Sequence, residues 1–336
     1  MLTAEAVKAF ALAQGADMVG IANIGRFEGA PIQMDPRQIM PEARSVIAMA
    51  FRVMRGSLRG IEEGTFFSNY SAMGYGGLTY LYMPMTVINI ARFIEDHGLE
   101  AIPYGHQSDW RGIDNAGALK PNFSRPVAPE RAAPDVMVHL RIAGFLAGLG
   151  EIGYSKMLLT PKFGPRNRIG IVITEAELEP DPIYDGPPLC NRCMACVDAC
   201  PGGAIPRDRT VKVTLAGREL EWADIDLNQC SVYFRGGIPA DTDEEVAEPY
   251  MTSLHGRPLK RGDHTPFYTK PRNLYNAGQA VGGARGCTRA CMVSLEARGV
   301  LENKFEKPFR RRKPWSVDWS QPDPKNDTGA AGVQSD

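Results

Sequence analysis

The sequence predicts a mixed α/β (α+β) domain followed by a smaller cysteine-rich domain. Helix-like and buried strand-like segments alternate up to about residue 180, which is typical of mixed folds. All seven cysteines lie between Cys190 and Cys291. A chain of 336 residues has room for two domains. The proline-rich stretch 179–188 separates the regions, and we predict domain bounds of 1–180 and 181–300.

The strands and the first helix of the larger domain follow hydrophobic periodicity. Residues 3–14 repeat apolar side chains at helical spacing, and Thr3 can cap that helix. Short apolar runs predict buried strands, because they are too short for most helices. These runs occupy residues 18–22, 45–53 and 169–174.

The remaining segments of this domain are predicted from composition. Residues 78–97 predict a helix that Pro84 starts or kinks. Residues 135–146 are apolar nearly all round and predict a buried helix. The glycine- and aromatic-rich stretch 56–77 predicts a loop, and the proline- and charge-rich stretch 107–134 predicts a surface insertion.

Composition and charge exclude several classes of protein. The chain has 38 basic and 39 acidic residues and 43% hydrophobic residues, which is ordinary globular composition without a bulk attraction to nucleic acid. No apolar run is long enough to predict a membrane-spanning helix. The N-terminus does not resemble an export signal. We therefore expect a cytoplasmic protein without membrane contact. Residues 301–336 form a predicted tail whose last part is disordered.

A run of four cysteines carries the most specific signal. Residues 190–201 read C-x2-C-x2-C-x3-C-P, which is the iron–sulfur run of bacterial ferredoxins. Zinc sites instead use paired C-x2-C hooks, and free core cysteines do not require this spacing. The run predicts a [4Fe–4S] cluster.

Three further cysteines predict a second cluster. In two-cluster ferredoxins the fourth cysteine of the run ligates the other cluster, and the last downstream cysteine returns to the first. The predicted ligands of the first cluster are therefore Cys190, Cys193, Cys196 and Cys291. Those of the second are Cys200, Cys230 and Cys287, one short of four. The second cluster is then a [3Fe–4S] cluster, or a [4Fe–4S] cluster with a non-cysteine ligand such as His255 or His264.

Several segments together resemble one superfamily. AGLGEIGYSKMLLTPKFGPR at 147–166, followed by RIGIVIT and the cysteine run, resembles the cobalamin-dependent reductive dehalogenases and, less closely, the epoxyqueuosine reductases. GADMVGIANIGRF and PEARSVIAMAF fit the same superfamily. The resemblance implies a nitroreductase-like domain that binds base-off cobalamin, joined to a two-cluster ferredoxin-like domain. It implies reductive dehalogenation of an organohalide through cob(I)alamin.

The resemblance also implies catalytic residues. Tyr75 matches the position of a tyrosine that donates a proton; it could also be an ordinary buried tyrosine. Arg166 or Arg168 matches the basic partner that lowers the pKa of this tyrosine, the alternative being a salt bridge. His106 replaces an asparagine of the dehalogenase pattern and could bind substrate or donate a proton, or lie in a plain loop.

Glycines near residue 150 suggest a cofactor contact. Gly148, Gly150 and Gly153 satisfy G-x-G-x-x-G, but a dinucleotide fingerprint must follow a strand and open a helix. This one follows a predicted helix, which excludes NAD binding. The resemblance implies that these glycines let the backbone approach the corrinoid, and that the adjacent Tyr154 contributes to the same site.

Two other functions remain open at the level of sequence. One is modification of tRNA, as in the epoxyqueuosine reductases, although nucleic-acid binding is disfavoured by the neutral charge. The other is a non-catalytic role in electron transfer or corrinoid reduction. The partners expected for the enzyme are a small-molecule substrate and a low-potential electron donor, ferredoxin or flavodoxin. A homodimer is possible.

Overall fold

The computed structural model describes residues 2–66, 69–106, 125–227, 229–230 and 281–309. Its strands are β1 (Met18–Asn23), β2 (Ser45–Arg52), β3 (Ala101–Tyr104), β4 (Glu151–Ile152), β5 (Leu158–Leu159), β6 (Asn167–Thr174), β7 (Thr210–Leu215) and β8 (Arg218–Ala223). Its α-helices are α1 (Ala4–Ala13), α2 (Arg59–Glu63), α3 (Met83–Glu95), α4 (Leu140–Leu146), α5 (Ala195–Asp198), α6 (Val281–Arg285) and α7 (Cys287–Arg298). A π-helical segment at Tyr70–Tyr82 leads directly into α3.

A four-stranded antiparallel sheet in the order β1-β2-β6-β3 forms the centre of the larger domain. Strand β2 is buried over seven of its eight residues, because helices cover both faces of the sheet. On one face Ile47, Met49 and Val172 pack in a core with residues of α1 and α3. On the other face Ala48 and Ile171 pack with α4.

The cysteine-rich region is packed against this domain. The β7–β8 hairpin places Leu220 and Trp222 in the core on the α4 side of the sheet. Residues 301–309 also dock, since Leu301 and Phe309 are buried. The predicted domain boundary near residue 180 therefore separates segments that share a core, and it stays a prediction. Residues 310–336 lie outside the described residues.

The elements with clear periodicity match their predictions. Helix α1 begins after Thr3, whose side chain accepts a hydrogen bond from the Ala6 N–H, and β1, β2 and β6 coincide with the three predicted strands. Helix α3 has Pro84 in its first turn, directly after the π-helical segment, so this proline lies where π-helical backbone changes to α-helical backbone. The mixed α/β class is confirmed.

The predicted loop at 56–77 is wrong. The segment contains α2 and the start of the π-helical segment, although glycine disfavours helices. Gly74 packs closely there, because a Cβ would lie 3.0 Å from the Tyr70 ring and 3.1 Å from the Ser57 Cβ. Close packing under the sheet, rather than intrinsic propensity, selects the sequence of this segment.

The predicted helix at 135–146 is shorter than expected. Helix α4 begins only at Leu140, after the His139 side chain caps it. The preceding backbone is satisfied by tertiary hydrogen bonds: the Met137 N–H donates to the Gln33 carbonyl and the Val138 N–H to the Tyr104 hydroxyl. Of the predicted insertion at 107–134, residues 107–124 lie outside the described residues.

No helix in the described part of the chain is both long and apolar enough to cross a membrane.

Candidate active site and metal centre

The four cysteines assigned to the first cluster line one cavity. Cys190, Cys193, Cys196 and Cys291 face it, together with Ser294 and the arginines at positions 192 and 298. Cys193 is exposed at its edge, whereas the other three are partly buried. This arrangement brings a residue of α7 to the sequence run some 100 positions earlier, as the crossed ligand rule predicts.

Local backbone geometry turns these cysteines inward. Arg192 and Met194 have φ angles of 52° and 58°, a left-handed conformation that non-glycine residues adopt only when the surroundings enforce it. On α7, Cys287 and Cys291 are one turn apart and therefore lie on one side of the helix. The run and the helix together present cysteines from two directions.

Hydrogen-bonding groups contact three of the sulfurs. The Tyr154 N–H lies 3.4 Å from Cys190 Sγ, and the Ala204 N–H lies 3.3 Å from Cys200 Sγ. The Ser294 hydroxyl lies 3.4 Å from Cys193 Sγ. Such contacts stabilise thiolate ligands and tune the potential of an iron–sulfur cluster.

The four thiols of the first group, Cys190, Cys193, Cys196 and Cys291, lie close enough to influence one another's pKa, and Cys287 of the second group acts on them too. Burial and its neighbours Cys287, Cys190 and Cys193 raise the pKa of Cys196 to about 11. Burial and the thiols of the same first group also raise the pKa of Cys291. Thiols in such a group become thiolates when they bind iron, since the metal supplies the positive charge that offsets their repulsion. Among the described residues, no three Cys, His, Asp or Glu side chains are placed to hold a single metal ion; in a cubane each thiolate binds a different iron.

The second group contains Cys200, Cys230 and Cys287. Burial and the charges of Cys287 and Cys200 raise the pKa of Cys230 to about 11, whereas the guanidinium of Arg141 opposes this. The position three residues before Cys287 holds Ala284, which is completely buried in the core. His255 and His264, the predicted non-cysteine ligands, lie outside the described residues. The donor sets fit two clusters, and the nature of the second stays a prediction.

Phenol groups of the π-helical segment form a cluster with an imidazole and a guanidinium group. The Tyr75 and Tyr80 hydroxyls are 3.2 Å apart, and the Tyr80 hydroxyl is 3.0 Å from His106 Nδ1. Arg168, on β6, lies over the Tyr75 ring at 4.7 Å from its centroid and donates to the Tyr70 hydroxyl at 2.8 Å. The structure therefore brings together Tyr75, Arg168 and His106 of the predicted site.

Tyr75 is protonated in this environment. Burial and the hydrogen bond between the Tyr75 and Tyr80 hydroxyls raise the pKa of Tyr75, and the charge of Arg168 lowers it by less. The predicted effect of an arginine is therefore present but outweighed. Burial and the charges of Arg168 and Arg141 lower the pKa of His106, so its imidazole is neutral near pH 7. The cluster thus holds a protonated phenol connected to a neutral base.

Arg166, the other predicted basic partner, is not in this cluster. It is completely buried and donates to the Val53 carbonyl at 2.7 Å and to Asn303 Oδ1 at 2.9 Å. Burial lowers its pKa to about 10. Its position joins β2 to the segment after α7, which indicates a structural function.

Replacing Arg166 by glutamine is expected to destabilise the fold by about 2–4 kcal/mol, because buried acceptors lose a charged donor. Chemical denaturation measures this, with the exposed Arg218→Gln variant as control. Folded Arg166→Gln protein should retain its turnover. Unchanged stability with lost turnover would instead place Arg166 in the chemistry.

The glycines near residue 150 are required by the packing of the protein itself. Gly148 has a φ of +80°, and a Cβ there would lie 2.2 Å from the Pro182 carbonyl oxygen. A Cβ at Gly150 would lie 1.9 Å from the Leu159 carbonyl oxygen, and one at Gly153 would lie 2.9 Å from the Leu159 side chain. The motif leads from α4 into the β4–β5 hairpin, which is not the strand-to-helix geometry of a dinucleotide site. Contact of these glycines with a corrinoid stays a prediction.

Tyr154 lies against the cysteines. It is buried beside Cys190, Cys196 and Cys200, and its hydroxyl donates to the carbonyls of Pro206 and Arg207 at 3.0 Å each. These contacts indicate that Tyr154 holds the cysteine-containing loop in place. A contact of Tyr154 with a corrinoid stays a prediction.

Two residues that the sequence did not single out as ligands or catalysts lie between the groups. Burial lowers the pKa of Arg141 and the pKa of His139, the latter to about 3, yet both side chains keep accessible surface. Arg141 interacts electrostatically with Cys287 and Cys230 and also with Arg168 and Tyr70. It therefore lies between the second cysteine group and the tyrosines.

The pH dependence of stability should show the capping function of His139. Its Nδ1 accepts the Ile142 N–H at 3.4 Å, which requires a neutral ring. Because its pKa is lower in the folded state, stability is complete above the unfolded pKa near 6.5 and falls below it. Between pH 7 and pH 5 we expect a loss of up to about 2 kcal/mol. His139→Asn keeps a capping side chain and should flatten this dependence, whereas the exposed His97→Asn variant should not.

Fold and site together define the class of this protein: a mixed α/β domain with a phenol–guanidinium cluster, joined to two groups of cysteines that contain one ferredoxin-type iron–sulfur run. No protein-family model matches the chain. Tetrachloroethene reductive dehalogenase from Dehalobacter restrictus is 39% identical over 98 residues, covering 26% of this chain and 18% of that protein. Epoxyqueuosine reductase from Synechococcus sp. is 46% identical over 148 residues, covering 38% of this chain and 45% of that protein.

These relatives confirm the resemblance to the reductive dehalogenase and epoxyqueuosine reductase superfamily. The matches span less than half the length of either relative. Among solved structures, a reductive dehalogenase has a TM-score of 0.48 and 22% identity, covering 68% of this chain and 28% of that chain. An epoxyqueuosine reductase from Streptococcus thermophilus has a TM-score of 0.43 and 16% identity, covering 86% of this chain and 78% of that chain.

Proposed function

We propose that the protein is a cobalamin- and iron–sulfur-dependent reductase that removes halide from an organohalide. The observation that carries this proposal is the position of Tyr75 over Arg168, within an assembly that Arg141 connects to the cysteines Cys230 and Cys287. A proton donor beside a route for single electrons is what a reductive cleavage requires. The named relatives are reductases, which supports the same class of reaction.

The first function of the chain is to transfer electrons inward. Cys193 is exposed, so an electron donor such as ferredoxin or flavodoxin can approach the first cluster there. Cys287 interacts in charge with Cys196 of the first group and with Cys200 of the second. The second group then adjoins Arg141 and, beyond it, the tyrosines.

The second function of the chain is to supply a proton. Cleavage of a carbon–halogen bond by two electrons releases halide and leaves a carbanion-like centre that must be protonated. The Tyr75 hydroxyl is protonated and can donate, and Arg168 stabilises the phenolate that remains. The Tyr80 hydroxyl and His106 can then return a proton to Tyr75 along their hydrogen bonds.

We place cobalamin between these groups, where it would supply the low-potential reduction of the carbon–halogen bond. Arg141, Arg168 and the rings of Tyr75, Tyr80 and His106 are the residues that would hold it or the substrate. A base-off form is expected, since the sequence contains no Asp-x-His-x-x-Gly segment.

Reduction of a modified tRNA is the second candidate function. The match to the epoxyqueuosine reductase from Synechococcus sp. covers a larger share of this chain than the match to the dehalogenase from Dehalobacter restrictus. Asp135, half-buried and 3.4 Å from the Gln33 side chain, precedes α4 where the sequence of that family places an aspartate.

A substrate comparison tests the proposal. The anaerobically purified protein, loaded with cobalamin and a chemical reductant, is incubated with a panel of aryl and alkyl halides and, separately, with an epoxyqueuosine-containing RNA stem-loop. Halide release that depends on cobalamin is expected. Reduction of the stem-loop without halide release would assign the second function, and neither reaction with cobalamin bound would favour a non-catalytic electron carrier.

A further inference from the structure

The carboxylate of Glu151 holds the backbone at the first cysteine of the iron–sulfur run. Its Oε1 atom accepts a hydrogen bond from the Cys190 N–H, and the Leu189 N–H is a second donor to the same side chain. Glu151 is partly buried and belongs to strand β4. A two-residue strand of the larger domain therefore anchors a cluster ligand that lies 39 positions later in the sequence.

The residues that follow Glu151 also contact this cysteine. The Tyr154 N–H lies 3.4 Å from Cys190 Sγ. A Cβ at Gly153 would lie 3.7 Å from Cys190 Cβ, so the backbone between β4 and β5 is within van der Waals range of the ligand. Residues 151–154, at the end of the G-x-G-x-x-G motif and just after it, thus form one side of the first cysteine group.

A second charged side chain, Arg298 at the end of α7, holds the same loop. Its N–H groups donate to main-chain carbonyls, at 2.7 Å to Leu189 and at 3.4 Å to Pro188. Burial raises the pKa of Glu151, whereas the two backbone N–H donors and the charge of Arg298 lower it. The carboxylate and the guanidinium therefore fix the loop before Cys190 from two different elements, β4 and α7.

We propose that Glu151 is a positioning residue of the first cluster: its carboxylate fixes the Cys190 backbone, and its negative charge lowers the reduction potential of that cluster. A cluster gains negative charge when it accepts an electron, so a neighbouring carboxylate opposes its reduction. A unit charge this close to a redox centre changes the reduction equilibrium about tenfold or more. The inference rests on the proposed function only in taking the first cysteine group as an iron–sulfur site.

A potentiometric titration of the anaerobically purified protein, followed through the EPR signal of each cluster, tests this inference. It is carried out at pH 8, well above the ordinary pKa of a carboxyl group. Glu151→Gln keeps an oxygen that accepts the Cys190 N–H but removes the charge, and Glu151→Asp keeps the charge. Glu302→Gln is the matched control, because Glu302 is exposed and, like Glu151, acts electrostatically on Tyr184.

We expect Glu151→Gln to keep the iron content of wild type and to shift the reduction equilibrium of the first cluster about tenfold toward the reduced form, which is about 59 mV for one electron. Glu151→Asp and Glu302→Gln should shift it by less than about threefold, and the second cluster should not change. The inference is overturned if Glu151→Gln shifts the equilibrium no more than these two variants do, or if Glu151→Gln loses the first cluster. Because no turnover is measured, a protein that releases no halide can still pass this test.

Discussion

Tyr75→Phe is expected to lower turnover by about 10²–10⁴-fold while cobalamin and both clusters remain bound. A positioned general acid contributes an acceleration of this size, and phenylalanine removes the hydroxyl without removing the ring that lies over Arg168. The fold should be little affected, because the buried ring is retained. Steady-state halide release, together with the visible spectrum of the holoprotein, measures both properties.

A second tyrosine provides the control for this variant. Tyr82 ends the same π-helical segment, and its hydroxyl donates to the Gly15 carbonyl away from the cluster. Tyr82→Phe should keep the wild-type rate within about twofold. If Tyr75→Phe keeps its rate within about threefold, Tyr75 serves only packing, and His106 becomes the proton donor to test.

Cys291→Ala is expected to remove the first cluster and to abolish turnover. Cys291 faces the same cavity as Cys190, Cys193 and Cys196, so it completes their ligand set although it lies on α7. We expect about half of the iron to be lost, with the spectroscopic signal of the second cluster retained. Iron analysis and EPR of the dithionite-reduced protein measure these changes.

Two comparisons make this result interpretable. Ser294→Ala removes a hydroxyl beside Cys193 Sγ from the same cavity and should leave the iron content unchanged. Cys200→Ala should remove the second cluster instead. Loss of the second cluster in Cys291→Ala, with the first retained, would show that the ligands are not crossed.

The strands and the first helix were predictable because single residues carry strong local signals. The apolar run of β6 and the cap at Thr3 are local features that can be recognised from neighbouring residues alone. Helix α4 was predicted too long, because the hydrogen bonds that hold Met137 and Val138 in extended backbone come from Gln33 and Tyr104. Such tertiary partners leave no trace in the local pattern.

The site was predictable only in part for the same reason. The cysteine spacing predicted which thiols share a cavity, and the resemblance located Tyr75, Arg168 and His106. Tyr70 was missed because its segment was predicted to be a loop, and Tyr80 because it was assigned to the helix predicted at 78–97 rather than to the π-helical segment that contains Tyr75. Their five-residue spacing from Tyr75 matches the i→i+5 hydrogen bonds of a π-helix and is the signal that could have identified them.

An anaerobic reductive titration of the cobalamin-loaded protein, followed by EPR, tests the central claim most directly. The protein should retain cobalamin through gel filtration. The cob(II)alamin signal should lack nitrogen superhyperfine splitting and should disappear only after the clusters have been reduced. A protein that binds no cobalamin, a signal split by a nitrogen ligand, or cobalamin that is reduced in a variant lacking both clusters as readily as in wild type would contradict the account.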